Sequence, residues 1–205
     1  MSSTAESAGV ERHDVGAVVG GGIKLGVFTA ASVTVFALLS RLVSGTLETV
    51  VQSVLVLAGG VVFSYLPAFW VRPRSADAIA WTALVGLLGA LVFTVLDTAL
   101  LRPFDLYHWT WDEIGGGSGF WYIPIWWMGS ATLAWLGAWV VAIAGRRVEQ
   151  VNVLVAAAQT VGISIIIFAI LTVTRVGPLH TAVMALAFAL GLIVTVPLVA
   201  ALNRQ

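Results

Sequence analysis

Hydrophobic residues along this chain fall into six long apolar segments that are separated by short polar breaks. Each segment is about 20 residues long or slightly longer, the length at which an α-helix crosses roughly 30 Å of hydrocarbon. Alternation with a period of two is missing, and an open sheet would leave unpaired edge groups in lipid. The pattern predicts an all-α bundle of six transmembrane helices. Their predicted bounds are Gly21–Val43, Thr49–Val71, Ala78–Leu101, Phe120–Ala144, Val151–Thr174 and Thr181–Leu202.

The segments predict one membrane domain, residues 21–202, between two short ends. Residues 1–20 are predicted as a polar cytoplasmic tail, because the beginning of the chain mixes acids, bases and serines and cannot bury a core. Residues 203–205 are predicted as a cytoplasmic C-terminal end. The first apolar segment is too long for a signal peptide and follows more acids than bases, so we expect it to remain as an anchor.

Composition agrees with a membrane domain, since 60% of the residues are hydrophobic, 10% are charged and the mean hydropathy is +1.00. A soluble domain carries roughly 25% charged residues. The formal net charge is zero, which gives no general attraction to nucleic acid. The chain has no cysteine, which excludes disulfides, thiolate metal sites and cysteine nucleophiles.

Basic residues are distributed unevenly between the two sides of a six-span topology, seven against three. The positive-inside rule then predicts that both termini are cytoplasmic in a cell (inner) membrane. The richer side carries Arg12, Lys24, Arg72, Arg74, Arg146, Arg147 and Arg204, and the poorer side carries Arg41, Arg102 and Arg175.

Most of the nine tryptophans fall at predicted span ends, where an amphipathic indole favours the headgroup level. Trp135 and Trp139 lie deeper in the fourth span, and we expect them to pack against other helices. The fourth span also carries small residues at every fourth position, which predicts a close helix-packing seam inside the chain or with a second subunit. The seam residues are Ser130, Ala134, Ala138 and Ala142.

Some polar side chains lie inside the spans. Two groups fall in the second and fifth spans, and we expect such residues to hydrogen-bond between helices. They are Gln52, Ser53 and Ser64, and Gln159, Thr160 and Ser164.

Residues 102–119 form the longest predicted loop, an aromatic connection on the outer side. If its first part is helical, Asp105, His108 and Asp112 share one face, and His180 lies at the outer start of the sixth span. Histidine and carboxylates suit a divalent metal, which makes His108, Asp112 and His180 candidate ligands. Two histidines at ordinary spacing are not a specific motif, however. A helix lying on the membrane surface explains the same residues, and no cofactor is predicted.

Asp97 is the acidic residue placed furthest inside a predicted span, close to the outer end of the third. A carboxylate in hydrocarbon is expensive, so it suggests an ion or proton coupling site with Arg102 and Arg175 as candidate counter-ions. A residue at the water boundary, or a structural ion pair, is the alternative interpretation.

The leading functional hypothesis is a non-catalytic accessory, assembly or sensing component of a membrane. Its expected partners are the lipid bilayer and either a second copy or another membrane protein, with no nucleic acid. One alternative is a small transporter or channel that uses Asp97 and the outer cluster of arginine, histidine and acids. Another is a membrane enzyme that acts on a lipid-soluble substrate at the outer face.

Overall fold

The computed structural model describes residues 15–104, 106, 122–144, 153–175 and 181–202. Within these residues, six helices are long and apolar enough to cross a membrane, which confirms the all-α six-helix class. The third helix continues into a π segment, Asp97–Leu101. The helices are α1 (Val15–Ser40), α2 (Gly45–Val71), α3 (Ala76–Leu96), α4 (Tyr122–Ala144), α5 (Val153–Val173) and α6 (Thr181–Leu202).

Helix α1 begins at Val15, six residues before the predicted start of the first span. Residues 15–20, assigned above to the polar tail, are valine, glycine and alanine and contain no proline. Val18 is only 2% exposed, so this added segment contacts the core through Val18. With the π segment counted as part of the third span, the other helix ends lie within four residues of their predicted positions.

The helices alternate in direction through the bundle. Helices α1, α3 and α5 begin, and α2, α4 and α6 end, at what we call the Arg72 end; the opposite side is the Arg102 end. Helix α3 packs on α1 along one side and on α4 along the other, while α5 and α6 pair with each other and pack on α2 and α4. Helices α2 and α4 therefore join the two halves of the bundle.

The turn between α2 and α3 is built by residues that stop and start helices. Arg72 ends α2 in the left-handed conformation, with φ 53°, and its N–H donates to the Ala68 carbonyl at 2.8 Å. Pro73 cannot continue the helix. The Ser75 hydroxyl then accepts from the Ala78 N–H at 3.2 Å, which caps α3. This geometry places Arg72 at the rim of the bundle.

Glycine allows several helix pairs to approach closely. A Cβ at Gly26 of α1 would lie 2.5 Å from the Val92 Cβ on α3. A Cβ at Gly137 of α4 would overlap the Ser64 carbonyl oxygen on α2. Since lipid supplies no hydrophobic drive between helices, such backbone contacts hold the bundle together by van der Waals packing.

Gly137→Ala is expected to lower the free energy of unfolding by about 1–3 kcal/mol, because its methyl group meets the backbone of Ser64. Gly129→Ala is the matched control on the same helix, since a Cβ there has no neighbour within 4 Å. Thermal unfolding in detergent measures both variants. Equal midpoints for the two would contradict close α2–α4 contact at Gly137.

Candidate functional site

Asp97 and Arg102 are brought together by the π segment at the end of α3. Residues five apart on an α-helix point about 140° away from each other. Here the Arg102 N–H donates to the Asp97 carbonyl at 2.9 Å, so the wider turn aligns the two side chains. The Arg102 Nε donates to Asp97 Oδ2 at 3.0 Å. Asp97 is 1% exposed, whereas the arginine side chain is 38% exposed.

Other polar contacts connect the chain around this ion pair. The Trp127 Nε1 donates to Thr94 Oγ1 at 3.0 Å and joins α4 to α3 just before the π segment. Arg41, at the end of α1, donates from Nη2 to the Leu106 carbonyl at 2.7 Å. Arg41 was not a sequence candidate; its position at a span end was the only signal. These contacts join the chain to α4 before Asp97 and to the end of α1 after it.

Arg175, the second candidate counter-ion, does not reach Asp97. It follows α5 in the left-handed conformation, with φ 57°, and its N–H donates to the Thr172 carbonyl at 3.1 Å. Helix α5 packs on α6 rather than on α3. In the part of the chain that the structure describes, Asp97 is therefore ion-paired with Arg102 and not with Arg175.

The candidate metal ligands His108, Asp112 and His180 lie outside the described residues, as does Asp105. Among the residues that are described, no group of three or more histidines and acids could hold a metal ion. A metal site in the outer loop therefore stays a prediction.

The small residues of α4 point into the bundle. Ala134 and Ala138 are fully buried, Ser130 is 5% exposed and Ala142 is 7% exposed. A Cβ at Gly86 of α3 would lie 2.6 Å from the Ala134 Cβ and 2.8 Å from the Ser130 carbonyl oxygen. This side of α4 is occupied by packing within the chain, so it is not available to a second subunit.

A buried hydroxyl cluster joins α2, α5 and α6 in the half of the bundle nearer the Arg72 end. The Tyr65 and Thr160 hydroxyls are 2.7 Å apart, and Thr160 Oγ1 donates to Thr195 Oγ1 at 3.1 Å. Sequence reasoning singled out Thr160 but not Tyr65 or Thr195, since a tyrosine and a threonine in apolar runs gave no distinctive signal. Satisfied hydroxyls of this kind connect helices in a membrane.

The polar residues singled out in α2 differ in whether their side chains form hydrogen bonds. The Gln52 Nε2 donates to the Ser40 hydroxyl of α1 at 2.9 Å, which is an interhelical bond. The Ser53 and Ser64 hydroxyls are buried and find no hydrogen-bond partner in the part of the chain that is described. Depth in a span thus did not determine which hydroxyls pair.

Trp135 and Trp139 were expected to pack against other helices, but they lie on the outward side of α4. Each is 39% exposed. Their rings contact each other, with centroids 5.0 Å apart and planes tilted by 52°. Because Ala134, Gly137 and Ala138 take up the inward side, helical periodicity turns both tryptophans away from the bundle.

No protein-family model, curated protein or solved structure matches this chain. Two features of the described residues bear on its function: the ion pair of Asp97 and Arg102, and the outward tryptophans of α4.

Arg102→Gln is expected to lower the free energy of unfolding by about 1–3 kcal/mol, and Asp97→Asn by less. The first change leaves a carboxylate that is 1% exposed without its cation. The second leaves an arginine that is exposed enough to turn toward water. Thermal unfolding of the two single variants and the double variant measures the difference. A larger loss for Asp97→Asn would mean that Asp97 is held mainly by contacts other than Arg102.

Proposed function

We propose that this chain is a non-catalytic component of a membrane assembly. Its helix α4 packs against a transmembrane helix of a partner protein. The observation that carries the proposal is the Trp135–Trp139 pair on the exposed side of a helix that is otherwise central to the bundle. We call the exposed residues on this side the α4 outer face. They are Met128, Gly129, Thr132, Trp135 and Trp139.

The depth of Trp135 supports a protein partner rather than lipid. The residue lies near the middle of α4, about 13 Å along the axis from the Ala144 end. Tryptophan on a lipid-facing surface favours the headgroup level, where its indole N–H reaches water or polar lipid groups. The headgroup preference explains a tryptophan at a helix end, such as Trp126, but does not account for Trp135.

The indole N–H groups of this pair also favour a partner. Neither tryptophan makes a hydrogen bond to another residue in the part of the chain that the structure describes. A polar N–H without an acceptor is unfavourable in hydrocarbon by at least about 1 kcal/mol. A hydroxyl or carbonyl on a docked helix would supply that acceptor.

The rest of the α4 outer face fits a helix at close range. A Cβ at Gly129 would meet nothing within 4 Å, and Thr132 is small. Small residues let a second backbone approach, while aromatic side chains provide most of the contact area in known interfaces. The face therefore combines space for a backbone with two large anchoring side chains.

The transport alternative rests on Asp97. Its closed ion pair with Arg102 is explained as a structural tie at the Arg102 end, since both residues belong to the same π turn. A solute flux in reconstituted vesicles that Asp97→Asn abolishes without unfolding the protein would favour transport over assembly. The enzyme alternative depends on the outer loop 102–119, of which only residues 102–104 and 106 are described.

A photo-crosslinking side chain in place of Thr132 is expected to yield one discrete protein product in the native membrane, because this position would lie in the interface. Trp135→Leu with Trp139→Leu should reduce that yield by about tenfold or more, since buried tryptophans are common anchoring residues. A product of twice the chain mass of 21.6 kDa identifies a second copy, and another mass identifies a different partner.

Two matched controls make this experiment specific. The crosslinker in place of Ile166, which is 60% exposed on α5, should give only lipid adducts. Trp126→Leu changes an equally exposed tryptophan, 38%, at the other end of α4 and should leave the product unchanged. Equal yields at Thr132 and Ile166, or equal loss in the Trp126 variant, would refute docking through the α4 outer face.

We further propose that both termini are cytoplasmic in a cell membrane, on the support of the uneven distribution of basic residues. Because the chain has no cysteine, single-cysteine variants report the topology directly. A membrane-impermeant thiol reagent added to intact cells should label a cysteine at Phe104 and leave one at Arg74 unlabelled. The opposite labelling would invert the proposed orientation.

A further inference from the structure

Helices α1 and α2 line an open cleft of about 340 Å³ at the Arg72 end. One wall is a single side of α1 that carries only small side chains until Lys24. The other wall is the last turn of α2, where aromatic rings precede Arg72. The lining residues are Gly16, Ala17, Gly20, Gly21, Lys24, Phe69, Trp70 and Arg72.

Lys24 is a cation inside a membrane-spanning helix. It lies about 13 Å along α1 from Val15, and its side chain is exposed rather than packed. Side chains on a helix tilt toward its N-terminus, which directs the ammonium group along the cleft toward the Arg72 end. No carboxylate of the described residues forms an ion pair with it. A lysine at this depth therefore calls for an anion that comes from outside the described chain.

Arg72 supplies a second positive charge at the mouth of the same cleft. Its left-handed backbone caps α2, and it forms no ion pair with a carboxylate of the described residues. The positive end of the α1 dipole lies beside it, since α1 starts at this end. Lys24 and Arg72 thus lie on opposite walls of the cleft, and the α1 N-terminus lies at its mouth.

The cleft wall between these two charges is apolar and open. A Cβ at Gly20 would meet nothing within 4 Å, so this part of the wall is unfilled. Trp70 packs its ring on Gly21, where a Cβ would lie 2.9 Å from Trp70 Cε3, and Phe69 is 56% exposed. A ligand suited to this arrangement has an anionic head and an apolar body.

We propose that the α1–α2 cleft binds an anionic phospholipid, with the phosphate beside Gly20 between Lys24 and Arg72 and an acyl chain along Phe69. Basic groups at the membrane surface attract anionic lipid, and basic pockets between transmembrane helices hold lipid headgroups. The site is independent of the α4 outer face, since α1 and α4 pack on different sides of α3.

Native mass spectrometry of the delipidated protein in detergent, titrated with phosphatidylglycerol, measures the affinity of the site. Lys24→Gln and Arg72→Gln should each raise the dissociation constant about fivefold, and the double variant about 25-fold. Arg175→Gln is the matched control, because Arg175 is also a left-handed arginine after a helix but lies at the Arg102 end. It should leave the affinity unchanged. Equal weakening by Arg72→Gln and Arg175→Gln would refute the site.

A steric variant tests the cleft without changing its charge. Gly20→Leu should fill the cleft and weaken phosphatidylglycerol binding about tenfold or more, while Gly59→Leu, also at a glycine without near neighbours, should not. Unchanged unfolding midpoints establish that both variants are folded. Binding that survives Gly20→Leu overturns the proposal.

A competition experiment distinguishes a lipid phosphate from free inorganic phosphate as the ligand of the cleft. Phosphatidylcholine and millimolar inorganic phosphate should each compete poorly with phosphatidylglycerol if the site recognises an anionic lipid. Displacement of the lipid by inorganic phosphate at its own affinity would instead assign a site for free phosphate and reject the lipid.

Discussion

Close contact between helix backbones at small residues is the interaction on which the rest of this structure depends. In lipid, helices gain little by removing apolar surface from their surroundings, so the fit of one backbone against another must hold them. Gly26 lies against α3, Gly86 against α4 and Gly137 against α2. Each glycine lets one particular helix pack against it. Together these contacts determine which sides of α4 and α1 remain outside the bundle.

The same packing determines where buried polar groups can find a hydrogen-bond or ion-pair partner. The hydroxyls of Tyr65, Thr160 and Thr195 satisfy one another only because α2, α5 and α6 approach closely at that depth. Asp97 is buried at the Arg102 end, where a π turn brings Arg102 beside it and the guanidinium still reaches the surface. Among the described residues, charge other than that of Lys24 therefore lies near the helix ends, and the buried interior holds hydroxyls.

The helical class, and most helix ends to within four residues, follow from hydropathy and length, because crossing hydrocarbon imposes both. The early start of α1 was missed because a run of glycine, alanine and valine is too weakly hydrophobic to mark a boundary. The Asp97–Arg102 pair was proposed from sequence, but the π turn that aligns it was not, since one extra residue in a turn leaves no compositional signal. The outward side of Trp135 depends on which face of α4 meets its neighbours, which is a property of the assembled bundle.

The outward tryptophans and the basic cleft are explained by one consequence of this packing. Small residues turned inward bring helices together, and helical geometry then turns the large side chains of the same helix outward. On α4 those side chains are Trp135 and Trp139, which suit a protein surface. On α1 the small residues continue from the contact with Trp70 toward the N-terminus, so a cleft remains there. Lys24 lines this cleft and forms no ion pair with a described residue. A bundle held by small residues thus leaves two distinct surfaces, the ones for which we propose a helix and a lipid as ligands.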